Sequence, residues 1–257
     1  MGVLDLSGKG ALIVGAGKGI GRATALLLGA AGARTIVLDR HLDRGQGVAD
    51  EIAAAGGDAA ALCADLSTDG EVEGAVAEAD RKADGLDIVV NITGSSSWAP
   101  LVSMDDETWD RDFRVNLKQQ LSVGRNAARF WLERQRPGVV CVVASISGLF
   151  ASSGHAAYGA AKAGLLSFVR SAAEEWWPHG IRVNAVVPGA VRTPRIADAF
   201  PEGDRARASE EMLARMAMPE NVAGPIAFLV SDLATKVTGQ TLVIDGGTTT
   251  RFPYRLT

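Results

Sequence analysis

The sequence carries a tyrosine and a lysine at a spacing that places two side chains on one face of a helix. Tyr158 and Lys162 are four residues apart in a stretch rich in alanine, so we expect them to be neighbours on a helix. A free tyrosine has a pKa of about 10 and is a poor base at neutral pH. A neighbouring ammonium group favours the phenolate, so Tyr158 could take up or release a substrate proton.

Other polar residues near this pair set limits on the chemistry. Ser145 lies 13 residues before Tyr158, and Asn116 lies further upstream. His155 precedes Tyr158 by three residues, which raises the idea of a Ser–His hydrolase, but the Gly-x-Ser-x-Gly turn of such enzymes is absent from the sequence. We therefore interpret His155 as a loop residue, with contact to substrate as the alternative.

A glycine-rich loop follows the first apolar run. Gly15, Gly19 and Gly21 stand between this run and a helical pattern, where glycines let the backbone approach a pyrophosphate and the helix N-terminus supplies N–H donors. Asp39 ends the second apolar run, 18 residues after Gly21. This is close to the spacing of a carboxylate that binds the ribose of a dinucleotide.

Seven apolar runs and five helical patterns must position these residues. The runs are continuously apolar, so we expect a sheet covered on both faces, and their alternation with helices predicts parallel strands with right-handed crossovers. We predict an α/β fold: one Rossmann domain over residues 1–257, with a doubly wound, seven-stranded parallel sheet flanked by helices. The predicted strands are 11–14, 35–38, 59–63, 87–90, 139–143, 181–187 and 241–244, and the predicted helices are 21–31, 42–55, 70–83, 106–135 and 156–177.

One segment breaks this alternation. Residues 190–220 contain Pro194, Pro201, Gly203 and Pro219 among charged residues and methionines. Long insertions between strands of a compact domain are often functional. We expect this segment to form a lid that closes over the substrate.

Composition excludes several functional classes. The 26 basic and 30 acidic residues leave a net charge of −4, which gives no electrostatic footprint for nucleic acid or for an anionic membrane. Cys63 and Cys141 have no metal-ligand spacing, so we expect no metal and interpret both as buried apolar residues. Asp5 and Lys9 interrupt the apolar core that a signal peptide requires. We therefore expect a cytoplasmic protein.

Taken in order along the chain, these motifs resemble the short-chain dehydrogenase/reductase family. Gly15, Gly19 and Gly21 match its GxxxGxG loop, and Tyr158 with Lys162 matches its YxxxK pair. The chain departs from the family after Asn91, where Ile92 and Thr93 replace Asn and Ala. Further matching segments are Ala64–Leu66, Asn91–Gly94, Val115–Leu117, Ser145, Asn184–Gly189, Thr193 and Asp245–Gly247.

The resemblance implies a catalytic set of four residues. Tyr158 would be the general acid or base, and Lys162 would favour its phenolate and hold the nicotinamide ribose. Ser145 would hydrogen-bond the substrate oxygen. Asn116 would hold a water molecule that links Lys162 to solvent.

The resemblance also implies a nicotinamide cofactor. NAD is expected rather than NADP, because the Asp39 carboxylate would repel a 2′-phosphate, although Lys18 and Arg40 oppose this preference. Asp65 would contact the adenine, and Thr193 the nicotinamide carboxamide. The expected cofactor contacts are Gly15, Lys18, Gly19, Ile20, Gly21, Asp39, Arg40, Asp65, Leu66, Asn91, Gly94, Tyr158, Lys162, Pro188, Gly189, Val191 and Thr193.

The expected partner is a small alcohol or ketone. By family position, Ser96, Trp98 and Phe150 would border the substrate together with Ser145 and Tyr158, so we predict a secondary alcohol on a mostly apolar body. Arg192 and Arg195 keep a 3-oxoacyl reductase or a hydroxy-acid dehydrogenase open as alternatives. A non-catalytic dinucleotide-binding regulator is disfavoured because Ser145, Tyr158 and Lys162 are all present. The resemblance implies a homotetramer.

Overall fold

The apolar runs form the strands of one parallel sheet. A computed structural model of the chain describes residues 4–151, 153–194 and 210–250. Within these residues the sheet has seven strands in the order β3-β2-β1-β4-β5-β6-β7, which confirms the predicted fold class. The strands are β1 Gly10–Val14, β2 Arg34–Asp39, β3 Ala59–Cys63, β4 Ile88–Asn91, β5 Gly138–Val143, β6 Ile181–Pro188 and β7 Thr241–Ile244.

Helices cover both faces of this sheet, and each face has its own apolar core. One core includes Leu12, Val89 and Leu165, and the other includes Ile13, Val90 and Ile226. Neighbouring residues of β1 and β4 therefore alternate between the two cores, as expected for a sheet buried on both sides. The helices are α1 Gly19–Ala30, α2 Leu42–Ala54, α3 Asp69–Ala83, α4 Asp106–Phe113, α5 Gln119–Glu133, α6 Ala156–Trp176, α7 Glu210–Arg215 and α8 Pro219–Val230, with 3₁₀ turns at Leu101–Ser103, Ile146–Gly148, Trp177–His179 and Asp232–Ala234.

The predicted helix over 106–135 contains an irregularity. Residues Arg114–Lys118 form a π-helical turn between α4 and α5, and the amide of Gln119 donates to the carbonyl of Arg114, five residues back. A π turn inserts one extra residue into a helix and changes the direction of the side chains there; such turns are frequent at functional sites. Asn116 lies at the centre of this one.

The strand order reverses between β1 and β4. β1 pairs with β2 on one side and with β4 on the other, so the connections leaving these two strands run in opposite directions. Ligands of doubly wound sheets bind in the crevice beyond the carboxyl ends of the strands at such a point. Gly15 follows β1 directly, and Asn91 is the last residue of β4.

The two cysteines have different environments. Cys141 is fully buried in β5, and burial raises its thiol pKa to about 12. Cys63 is exposed, so its predicted burial is wrong. It ends β3, which is an edge strand, and an edge strand has a neighbour on one side only.

The segment expected to be a lid is anchored at both ends. Val191 pairs with Ala217, the amide of Ala217 donates to the carbonyl of Ala190 at 2.9 Å, and the Arg192 guanidinium donates to the carbonyl of Leu213 at 2.7 Å. Arg195, Pro201 and Gly203 lie outside the described residues. Among the residues described, no helix is long and apolar enough to cross a membrane, and no group of three His, Cys, Asp or Glu side chains could hold a metal.

Candidate active site

A cavity of about 720 Å³ lies beyond the carboxyl ends of the central strands. A volume of this size is within the range of small-molecule and cofactor sites. Most residues expected to bind cofactor or substrate line it. They are Gly15, Lys18, Gly19, Ile20, Asp39, Arg40, Asp65, Leu66, Gly94, Ser145, Tyr158, Lys162, Pro188, Gly189, Val191 and Thr193.

The glycine loop is shaped by conformations and contacts that side chains would prevent. Gly15 and Gly19 have φ angles of 81° and 58°, a region that strongly favours glycine. A Cβ atom at Gly21 would overlap the carbonyl of Gly15, so Gly21 lets α1 begin directly against the loop. The loop therefore leaves the N-terminus of α1 open toward the cavity, where backbone N–H groups can bind an anion.

Asp39 connects the loop to the second strand. One carboxylate oxygen accepts a hydrogen bond from the amide of Gly17 at 3.0 Å, and the other accepts from the amide of His41 at 3.0 Å. Each carboxylate oxygen has a further lone pair, so Asp39 can still accept from two ribose hydroxyls. Gly17 was not among the expected residues; its side-chain position would lie 2.5 Å from the Asp39 carboxylate.

Asn91, the last residue of β4, holds the segment that follows this strand. It is fully buried, and its side-chain oxygen accepts from the hydroxyl of Thr93 at 2.7 Å. A Cβ atom at Gly15 would lie 3.1 Å from the methyl group of Thr93. Thr93, which replaces the Ala of the family pattern, therefore packs against the glycine loop and donates a hydrogen bond to Asn91.

Asn116 fastens the loop that follows β4. Its amide nitrogen donates to the carbonyl of Ser95 at 2.6 Å and to that of Asp112 at 2.9 Å, and its side-chain oxygen accepts from the amide of Ser95 at 3.0 Å. The π turn places Asn116 where it can make these contacts. The side chain is fully buried. Its hydrogen bonds fix the backbone of Ser95, which lines the cavity next to Gly94.

Tyr158 and Lys162 share one face of α6, as their spacing predicts. Lys162 is almost fully buried, and its ammonium donates to the carbonyl of Val143 at 2.8 Å and lies 5.7 Å from the centre of the Tyr158 ring. A cation at this distance from the ring favours a negatively charged phenolate. Gly94 allows the loop after β4 to pack against Asn116, because a Cβ atom there would lie only 3.0 Å from the Asn116 side-chain oxygen.

Two glycines allow the segment that carries Ser145 to pack closely against α6. It follows β5, and its hydroxyl accepts from the amide of Ser147 at 3.2 Å. A Cβ atom at Gly148 would lie 2.8 Å from the backbone of Lys162, and one at Gly159 would lie 2.8 Å from the carbonyl of Ser147. These glycines therefore permit the close packing that brings Ser145 and Tyr158 to one cavity. Sequence reasoning missed both, although Gly159 directly follows Tyr158.

Asp245 follows β7 and packs against Gly189, which follows β6 and lines the cavity. A Cβ atom at Gly189 would lie 3.0 Å from the Cβ of Asp245. Burial tends to raise the pKa of this carboxyl group, but hydrogen bonds from Thr249 and Gly247 outweigh burial and hold the pKa below its usual value. Asp245 is therefore a carboxylate that fixes the turn beyond β7.

Some expected residues lie elsewhere, and some cavity residues were not expected. Of the described residues, those expected at the site but outside the cavity lining are Gly21, Asn91, Ser96, Trp98, Asn116 and Phe150. Trp98 and Phe150 are largely exposed. Lining residues that were not predicted from the sequence include Arg44, Ser67, Ser95, Arg111, Arg114 and Gln119.

The cavity fits an extended dinucleotide. Gly15 and Gly19 form a cradle that a side chain would fill, and this cradle meets the N-terminus of α1. A carboxylate from Asp39 lies on one side of the cradle, and Tyr158 with Lys162 line the other part of the cavity. The donor set matches a pyrophosphate at the helix end and ribose hydroxyls on either side.

Comparison with known proteins identifies relatives along almost the whole chain. A family model described as enoyl-(acyl carrier protein) reductase matches residues 15–249. The chain is 37% identical to 3β-hydroxysteroid dehydrogenase 1 of Eggerthella lenta, covering 95% of each protein. It is 35% identical to a 3-oxoacyl-[acyl-carrier-protein] reductase of Thermotoga maritima, covering 95% of this chain and 99% of the relative.

Solved structures give the same assignment. A short-chain type dehydrogenase/reductase from Mycobacterium marinum has a TM-score of 0.89 and 34% identity, covering 96% of this chain and 98% of that one. A protein from Beutenbergia cavernae, described as a candidate NAD(P)-dependent gluconate 5-dehydrogenase, was solved with bound NADP at low occupancy. Its TM-score is 0.89 and its identity 34%, covering 97% of this chain and 100% of that one. With the glycine loop, the Tyr158–Lys162 pair and these relatives in agreement, the chain belongs to the short-chain dehydrogenase/reductase family and is an oxidoreductase of CH–OH groups.

Proposed function

We propose that the protein interconverts a secondary alcohol and a ketone on a mostly apolar substrate, with Tyr158 as general acid and base. The observation that carries this proposal is the convergence of Ser145, Tyr158 and Lys162 on the cavity that also contains the glycine loop. A nicotinamide dinucleotide bound there would accept or supply the hydride. The protein's own part is to move the proton and to hold the substrate oxygen.

The geometry supports a division of labour among three side chains. The buried Lys162 ammonium, 5.7 Å from the Tyr158 ring, stabilises the phenolate that takes the alcohol proton. In the reverse direction the neutral phenol gives this proton back. Ser145 donates or accepts a hydrogen bond at the substrate oxygen, which fixes the oxygen beside the Tyr158 hydroxyl.

Exposed apolar side chains in the segments that follow β4 and β5 favour an apolar substrate, although they lie outside the cavity lining. Trp98, Leu149 and Phe150 follow the strands that carry the site, and each exposes more than two fifths of its surface. The Arg192 guanidinium binds a main-chain carbonyl of its own segment, which supports the view that it belongs to the anchoring of the lid. A 3-oxoacyl reductase or hydroxy-acid dehydrogenase is the second candidate, favoured by Arg111 and Arg114 in the cavity lining.

The cofactor and the assembly complete the proposal. We infer a preference for NAD, because the Asp39 carboxylate borders the expected ribose position. The bound NADP in one structural neighbour and the positive charges of Lys18 and Arg40 are the arguments for NADP. We infer a homotetramer from the family resemblance.

Replacement of Tyr158 tests the mechanism. Tyr158→Phe keeps the ring and removes only the hydroxyl, so we expect kcat to fall by about 10²- to 10⁴-fold while the cofactor dissociation constant changes little. The same substitution at the second tyrosine of the sequence, Tyr254→Phe, is the matched control. Activity of Tyr158→Phe within twofold of wild type would contradict the mechanism.

Matched substrates test the substrate class. Steady-state rates on pairs of secondary alcohols, one apolar and one carboxylated but otherwise alike, should show a higher kcat/KM for the apolar member. Arg111→Ala and Arg192→Ala should leave this order unchanged. A rise of KM of tenfold or more for the acid alone in either variant would replace the apolar reading with the hydroxy-acid alternative.

A further inference from the structure

Three aromatic rings from two separate segments form a continuous stack that ends on Tyr158. The ring centres of Trp98 and His155 are 4.0 Å apart with an angle of 16° between their planes. The ring centres of His155 and Tyr158 are 4.5 Å apart with an angle of 22°. His155 is 7% exposed and Trp98 is 68% exposed, so the outer indole shields the imidazole, and the imidazole covers the phenol ring.

The backbone fixes both segments that supply this stack. The amide of Ala99 donates to the carbonyl of Gly154 at 2.9 Å, joining the loop after β4 to the loop before α6. The Ser97 hydroxyl donates to the carboxylate of the fully buried Asp112 at 2.9 Å. Trp98 is therefore held by main-chain and side-chain bonds on both sides, although its own ring is largely exposed.

His155 occupies a position at which other residues would stabilise the helix better. It is the N-cap residue of α6, and within the described first turn its side chain accepts no capping hydrogen bond. Ser, Asn and Asp are preferred there because their oxygens accept from the first free amides. The imidazole is instead buried between two rings, an arrangement that helix stability by itself does not select.

We propose that His155 is a positioning residue for Tyr158, held in place by Trp98. Tyr158 lies only two residues inside α6 and is partly exposed, so the protein core does not enclose its ring. Stacking against His155 restricts the ring and keeps the hydroxyl directed to the cavity that Ser145 and Lys162 line. Small losses of alignment between reacting groups are costly, since a displacement of about 1 Å can reduce a rate about 100-fold. This inference rests on the proposed role of Tyr158.

Two substitutions at His155 separate positioning from helix stability. His155→Asn introduces a better N-cap and removes the stack, so we expect Tm to hold or rise while kcat falls by about 10- to 100-fold. His155→Phe keeps a flat ring and should retain most of kcat. The Kd for the cofactor should change little in both variants, since neither touches the glycine loop. His179→Asn, the same change at an exposed histidine, is the control and should match wild type.

Two results with these variants would overturn the proposal. If His155→Asn keeps kcat within twofold of wild type, the stack has no role in turnover. If His155→Phe loses as much activity as His155→Asn, the imidazole nitrogens act and the stacking explanation is wrong. If Tyr158→Phe is itself active, the proposed function fails instead, so the two failures are distinguishable.

A readout independent of turnover completes the test. The sequence has two tyrosines, Tyr158 and Tyr254, so a Tyr254→Phe background with labelled tyrosine gives NMR signals from Tyr158 alone. Stacked imidazole and indole rings shift these signals through their ring currents. We expect a large change of shift in His155→Asn and a smaller one in His155→Phe. Identical Tyr158 signals in wild type and His155→Asn would show that the stack is absent in solution and would overturn the proposal.

Discussion

At the scale of single residues, Asp39 has a structural role that the structure shows and a cofactor-binding role that we propose. Its two oxygens hold the amides of Gly17 and His41, which fixes the glycine loop to the end of β2. The same oxygens border the cavity beside Lys18 and Arg40. If Asp39 binds the ribose as proposed, cofactor choice would depend on the balance between its negative charge and the positive charges of Lys18 and Arg40.

The wild-type enzyme should prefer NAD over NADP, and Asp39→Asn should weaken that preference. Asparagine keeps the shape and one acceptor oxygen but removes the charge that repels a 2′-phosphate. We expect the ratio of kcat/KM for NAD over NADP to fall at least about tenfold, or about 1.4 kcal/mol. Asp43→Asn, at an exposed carboxylate of α2, is the control. Equal kcat/KM for both cofactors in wild type would show that Lys18 and Arg40 dominate.

At the scale of elements, a buried arginine connects β6 to the end of α8. The Arg182 guanidinium donates to the carbonyls of Leu229 at 2.7 Å, Ser231 at 3.1 Å and Val237 at 3.3 Å. Burial lowers its pKa, but an arginine remains protonated at neutral pH. α8 packs on α1, the helix that follows the glycine loop, so this arginine helps to fix the cofactor side of the protein.

Loss of this arginine should destabilise the fold. Arg182→Met keeps a long apolar side chain but leaves carbonyls at the helix end without their donor, and we expect the free energy of unfolding to fall by about 2–4 kcal/mol. Thermal melting at fixed protein concentration measures the change. Arg34→Met removes an arginine whose ion pair with Asp58 is exposed, and it should lower Tm much less than Arg182→Met does. Equal melting shifts in the two variants would contradict this role for Arg182.

At the scale of the whole molecule, the outer face of α6 is suited to close packing with another helix. Leu165 and Val169 of α6 are fully buried in the subunit's own core. Small residues occupy several exposed positions of α6, namely Ala160, Ala163 and Ser167. Small residues let two helix backbones approach closely, which keeps the inferred tetramer compatible with this structure.

Light scattering at micromolar protein should give four times the chain mass of 26.7 kDa. Ser167→Glu puts a charge on the exposed face of α6, and a buried unpaired charge is costly, so we expect the mass to fall. Gly74→Glu adds the same charge on α3, where the structure shows open space around the position, and should leave the mass unchanged. A monomeric wild type would refute the inference.

Features that depend on local spacing could be predicted from the amino-acid sequence. The bounds of β3 and β7 agree with the predicted runs 59–63 and 241–244, because short apolar runs bounded by turn residues are typical of strands. The shared face of Tyr158 and Lys162 follows from helix geometry. The glycine loop was recognisable because glycine is required where the backbone takes a positive φ or makes a close approach.

The tertiary structure alone decided how distant segments meet. Cys63 is exposed because β3 became an edge strand, and strand order is not encoded in the run itself. Gly148 and Gly159 matter only because the turn after β5 packs on α6. The ring of Trp98 reaches His155 across two loops, with 56 intervening residues. Such contacts depend on the packing of whole elements, so the local pattern around each residue cannot reveal them.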